Sequence, residues 1–175
     1  MNRKDAGLTL IELMVVIAII AITLTLGLPS FSGVIERMRV GTTLHLLGTD
    51  MAMARNTAVM RHSQVVICPR DAIAGCADSQ DWSHGWMVFD DPDENRQPDV
   101  PGDILRASEP PAGALLFLPA SRPFLRYQAD GRAANSNLTV YVCRDKRYAG
   151  KVVVNNLGRV RTERAGAPES ACPRS

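Results

Sequence analysis

The chain has 175 residues, 46% hydrophobic and 22% charged, which allows one modest buried core and excludes a disordered chain or a large multidomain one. Its net charge of +2 hides an asymmetry: residues 144–175 hold eight Arg or Lys against three Asp or Glu, a basic tail of +5 set against −3 elsewhere. Four cysteines, Cys68, Cys76, Cys143 and Cys172, form no Cys-x-x-Cys pair and stand near no His cluster, which argues against zinc and for two disulfides in an oxidising compartment.

The chain opens with a short polar leader, Met1 to Gly7, carrying Arg3 and Lys4. Leu8 to Leu28 then form 21 nearly continuous apolar positions with one charge, Glu12. As a helix, this run spans a hydrocarbon core about 30 Å thick. The positive-inside rule keeps the leader cytoplasmic and puts the rest of the chain in the periplasm, anchored to the inner membrane by a single pass. The apolar run passes into Gly27, Leu28 and Pro29 without an Ala-x-Ala pattern, which disfavours ordinary signal cleavage. A carboxylate in hydrocarbon is costly unless paired, so Glu12 is a candidate functional residue; an unpaired charge near a helix end is the plainer alternative. Pro29 is expected to kink or interrupt the helix.

The run Gly7-Leu8-Thr9-Leu10-Ile11-Glu12-Leu13 resembles the signature of type IV prepilins. The resemblance implies a prepilin peptidase that cuts between Gly7 and Leu8 and methylates the new amino terminus. It also implies that Glu12 pairs with the terminal amine of a neighbouring subunit during assembly. Leu8 departs from the Phe that is more frequent as first mature residue.

From Ser30 to His62 the pattern stays helical but turns amphipathic, with Leu44, Leu47, Met51, Ala54 and Ala58 at spacings of three and four. A helix from Leu8 to His62 is roughly 80 Å long. Its stripe is expected to face a sheet, with a coiled-coil seam as the alternative. Beyond His62, short β-branched and aromatic runs punctuated by Pro and Gly predict strands at 64–68, 85–90, 104–106, 115–118, 138–143 and 151–154. The fold class is therefore α+β. It resembles the type IV pilin fold: a leader (1–7), a membrane or filament-core helix (8–29), an amphipathic helix (30–62) and an antiparallel β-rich head with a basic tail (63–175).

Four cysteines allow three pairings. Cys68–Cys76, closing a loop after the first strand, and Cys143–Cys172, tying the tail to the sheet, are the expected pair. The stretches Val66-Ile67-Cys68-Pro69 and Trp82 to Asp90 are similar to the head of minor pilins and pseudopilins of the GspH, FimT and FimU type. Trp82 and Trp86 read as core or loop anchors, with exposed stacking platforms as the alternative. His45, His62 and His84 have no companions for a metal or catalytic set.

Asp91-Pro92-Asp93-Glu94-Asn95 has the alternating oxygens that open a calcium loop, but Arg96 stands where glycine is required and Gly102 where the closing glutamate belongs. A solvated acidic loop is the better reading. No Gly-x-Ser-x-Gly elbow, His-Glu-x-x-His pair or phosphate-binding glycine loop occurs, so no enzyme activity, metal or cofactor is expected.

The segment Lys151 to Arg161 reads as a hairpin, with Val152–Val154, a turn of Asn155, Asn156, Leu157 and Gly158, and then Val160 between two arginines. Arg159 and Arg161 share one face of an extended strand about 6.6 Å apart, a spacing suited to successive phosphates. Gly158 supplies a positive φ and leaves backbone uncovered for close approach. Lys151 and Arg164, with Arg144, Lys146 and Arg147, widen a salt-sensitive patch that reads no bases. Gly158-Arg159-Val160-Arg161 resembles the Gly-Arg-x-Arg motif of FimT-type minor pilins, and so implies contact with double-stranded DNA during uptake by competent cells. The alternative is a solvated strand face, with the arginines paired to Glu163, in a purely structural minor pilin or an H-type pseudopilin of type II secretion. Other pilin subunits are expected partners in both cases.

Overall fold

A computed structural model describes residues 9–71, 75–111, 116–133, 135–144, 147–166 and 171–172, without the side chains of 24–32 and 116–117. The described elements are one long helix, α1 (Leu10–Arg61), and eight strands: β1 (Val65–Pro69), β2 (Trp86–Asp90), β3 (Ile104–Ser108), β4 (Leu116–Phe117), β5 (Leu125–Tyr127), β6 (Leu138–Arg144), β7 (Arg147–Val154) and β8 (Val160–Arg164). The chain divides into two compact units, Met1–Met38 and Arg39–Ser175.

In the first unit, Thr9 caps α1: its Oγ1 accepts the Glu12 N–H at 3.3 Å, satisfying one of the orphan donors of the first turn. All described side chains from Thr9 to Thr23 are exposed. Among the described residues no helix is long and apolar enough to cross a membrane; the described side chains of the apolar run stop at Thr23, short of its end at Leu28. Of the kink or interruption expected at Pro29, the interruption does not occur: α1 runs on through this residue.

In the second unit, Leu44, Leu47, Met51, Ala54 and Ala58 are each at most 1% exposed and join one core with residues of both sheets. A stripe buried within its own chain leaves no coiled-coil seam. His62, at φ 52°, ends the helix in the left-handed conformation that terminates many helices.

Among the described residues the head holds two four-stranded antiparallel sheets, in the orders β3-β2-β1-β5 and β4-β6-β7-β8, in keeping with the antiparallel β-rich head expected. β1 is buried on both faces. Val65 and Ile67 face the helix-lined core, whereas Val66 and Cys68 meet Met87 and Phe89 in a smaller cluster with Phe124 and Ile104. Trp82 and Trp86 are fully buried, as anchors rather than platforms. Trp86 Nε1 donates to Asp50 Oδ2 of α1 at 2.8 Å, and Asp50 Oδ1 lies 2.8 Å from Arg106 Nε of β3. Asp50 is completely buried, so this pairing holds helix and first sheet in one register.

Candidate functional site

Gly7 and Leu8, the expected processing residues, lie outside the described residues, as does Lys146. Glu12 lies in the first turn of α1 with an exposed side chain.

Both disulfides are formed. Cys68–Cys76 closes the loop after β1, where Ala77 N–H donates to Pro69 O at 2.9 Å. Cys143–Cys172 brings residue 171 into a bridge with Arg147 at the start of β7. The acidic loop spends its oxygens on its own chain. Asp93 accepts from Asn95, Glu94 accepts from Gln64, and Asp91 accepts the Arg96 N–H at 3.1 Å. Burial raises the Asp91 pKa above the ordinary carboxylate value, against the lowering effects of the Arg96 N–H and the Arg126 guanidinium. Among the described residues no group of three His, Cys, Asp or Glu is placed to hold a metal ion.

The basic hairpin forms from β7 and β8, with Val154 opposite Val160 and Lys151 opposite Glu163. Asn155 organises the turn: its Oδ1 accepts from Leu157 N and Arg159 N at 3.1 and 3.0 Å, and Gly158 N donates to Asn155 O at 2.8 Å. Gly158 has φ +75°, as expected, but it is buried. A Cβ there would stand 2.0 Å from Gly131 O, so the bare backbone admits a second turn of the same chain rather than a ligand. That turn spans Gln128 to Arg132, and Ala133 N donates to Asn156 O at 3.1 Å beside it.

The five candidate residues divide between two faces. Arg161, Glu163 and Lys151 lie on the outer side of the second sheet, since their partners alternate with buried Val152 and Val154. Arg164 lies on the inner side, where a Cβ on Gly41 of α1 would stand 3.0 Å from its Nη2. It therefore cannot widen the Arg159–Arg161 face, because an odd step along a strand reverses the side chain. Glu163 pairs with two of the remaining cations, at 2.7 Å to Arg161 and 3.1 Å to Lys151. Its hydrogen bond is the main cause of a raised Lys151 pKa. Arg159 is exposed, and among the described residues no carboxylate pairs with it. Two cations that local sequence did not bring together stand near the turn: Arg132 follows Gly131, and Arg55 of α1 has its Nε 3.2 Å from where a Gly131 Cβ would be.

Residues 44–158 match the family model described as Type II transport protein GspH, and residues 2–28 match that of the prokaryotic N-terminal methylation motif. The first match ends at Gly158, so Arg159, Arg161 and Arg164 lie beyond it. The fold is similar to crystal structures of the type IV minor pilin FimU of Pseudomonas aeruginosa. One crystal form gives a TM-score of 0.59 at 17% identity, covering 79% of this chain and 98% of that one. A second gives 0.53 at 16% identity, covering 76% and 99%. No curated protein matches the chain.

Proposed function

The chain belongs to the GspH family of type II transport proteins, and from that premise we propose that it works as a minor pilin of a type IV pilus system that contacts double-stranded DNA without sequence preference. In this reading prepilin peptidase removes residues 1–7 and methylates Leu8. Residues 8–29 anchor the protein in the inner membrane and then enter the filament core. Residues 30–62 carry the periplasmic head of residues 63–175. Glu12 meets the terminal amine of a neighbouring subunit, a partner that offsets the cost of a carboxylate in hydrocarbon. The methylation motif at residues 2–28 supports the processing, and the pilin fold of the head supports filament assembly.

The observation that carries the DNA contact is Arg159, an exposed guanidinium free of carboxylate partners among the described residues and fixed on a turn by Asn155. Binding of the full-length protein in detergent to fluorescent duplexes of unrelated sequence tests it. Arg159→Gln together with Arg161→Gln should weaken all duplexes alike, and the slope of log affinity on log salt should fall by about one to two. A parent protein that fails to bind at low salt refutes DNA contact and leaves the second reading, a structural minor pilin or H-type pseudopilin. That reading is favoured by Glu163, which occupies both Arg161 and Lys151. Intact-mass analysis tests the processing, with a methylated Leu8 expected and an unprocessed Met1 in working filaments refuting it.

A further inference from the structure

The contact between Gly131 and Gly158 joins two turns that are 27 residues apart in sequence, and each turn is followed by an exposed arginine, Arg132 and Arg159. Both turns are closed by main-chain hydrogen bonds: Gly131 N to Gln128 O at 2.7 Å, Gln128 N to Arg132 O at 2.9 Å and Asn155 N to Arg159 O at 3.2 Å. The backbone carrying the two arginines is thus already ordered, which lowers the entropy lost when their side chains engage a ligand. Arg55 reaches the same point from α1, its Nε and Cγ lying 3.2 and 3.5 Å from the Cβ position of Gly131. It also lies close enough to the buried Tyr127 to oppose the rise that burial causes in that hydroxyl's pKa.

The charge balance separates this end of the head from the outer sheet face. On that face Glu163 neutralises one of two cations and touches both. At the joined turns stand Arg55, Arg132 and Arg159, and beside them Asp130, whose Oδ1 accepts the Arg132 main-chain N–H at 2.9 Å. Among the described residues no carboxylate forms an ion pair with Arg55, Arg132 or Arg159. Arg132 and Arg159 are exposed and Arg55 is half-buried beside them, so three different elements bring positive charge to one end of the head, where each phosphate contact releases counterions.

We infer that the nucleic-acid backbone is held by Arg55, Arg132 and Arg159 around the Gly131–Gly158 contact, with Arg161 a secondary contributor. This rests on the DNA-contacting reading and moves its centre from one strand to three elements. The positions of Arg55 and Arg132 were invisible to a four-residue motif because only the tertiary contact brings them beside Arg159.

The test uses the full-length protein in detergent and measures fluorescence anisotropy of a mixed-sequence duplex over a salt series. Arg132→Gln should lower the salt slope by about one, as much as Arg159→Gln does, and Arg161→Gln should lower it less. Arg132→Lys and Arg55→Lys should retain most of the slope, because they keep the charge. Slope loss concentrated in Arg161→Gln, with Arg132→Gln like the parent, overturns the cluster while DNA contact stands. A loss in Arg132→Lys equal to that in Arg132→Gln also overturns it, since the effect is then not one of charge. A parent that binds no duplex at low salt refutes both the cluster and the reading beneath it.

Discussion

Gly158 lies against the carbonyl of Gly131 so closely that a methyl group on it would stand 2.0 Å from the oxygen. Alanine there meets two penalties: the positive φ of +75°, costing about 1–2 kcal/mol, and overpacking against backbone, costing about 1–3 kcal/mol. Gly158→Ala should therefore lower the thermal midpoint clearly and weaken DNA binding by displacing Arg159. A variant with the parent's melting temperature would show that the two turns are not held together.

Asp50 is a second fixed point, buried on α1 between Trp86 and Arg106. Asp50→Ala leaves the indole N–H of Trp86 in the core without its acceptor, a loss of about 1–3 kcal/mol. Arg106, 45% exposed, can turn to solvent and adds little. Chemical denaturation should show the loss, and in a double-mutant cycle with Trp86→Phe most of it should vanish. An uncoupled cycle would remove the indole–carboxylate bond as its cause.

Asp91 gives a pH dependence of defined sign. Burial raises its folded-state pKa above the unfolded value, so the folded chain binds this proton more readily and stability from this group rises as pH falls through the folded pKa. Asp91→Asn keeps an oxygen for the Arg96 N–H and removes the titration. The stability of the parent relative to Asp91→Asn should increase on acidification and level off below the ordinary carboxylate range. Thermal midpoints of both proteins across the acid range check this; a difference that moves the other way contradicts the assigned shift.

Much of the head was legible because its signals are local. The buried stripe from Leu44 to Ala58 follows helical spacing, and the Val152–Val154 run and the Asn155–Gly158 turn predict a hairpin that forms. β5 escaped notice because Leu125–Tyr127 is only three residues long, too short for a period to show. β8 reads Val-Arg-Thr-Glu-Arg, with no apolar alternation, and is recognised only through its partner β7. Alternation along β8 already sets Arg164 apart from Arg161 once the strand is carried to its end, whereas the approach of Gly131 to Gly158 has no local signal at all.

The Cys143–Cys172 bridge, at a sequence separation of 29, is the tie between the C-terminal segment and the second sheet. Cys143→Ser together with Cys172→Ser should cost about 3 kcal/mol by restoring freedom to the unfolded chain. Proteolysis should then begin in the segment after β8. Non-reducing peptide mapping of the parent must recover the Cys143–Cys172 peptide, and a Cys68–Cys143 peptide would refute the connectivity.

Glu163 is the residue on which the two functional readings divide. It faces Lys151 directly across the β7–β8 ladder and reaches Arg161 two positions away on the same face, so it holds both cations to the sheet. Glu163→Gln keeps the strand and a hydrogen-bonding side chain but removes the charge. The loss in stability should be under about 1 kcal/mol, because half-exposed ion pairs contribute little after solvent screening. The electrostatic consequence is larger: the patch gains one net positive charge, and the Arg161 and Lys151 side chains become free to move toward a phosphate backbone. Duplex affinity at low salt should rise on the order of twofold to tenfold, with a steeper salt dependence, and the gain should fade as salt screens the surface. Unchanged affinity in a protein that binds DNA would place the duplex away from the outer face of β7 and β8. Weaker affinity would mean that the ion pairs orient the arginines for binding, reversing the role assigned here to Glu163.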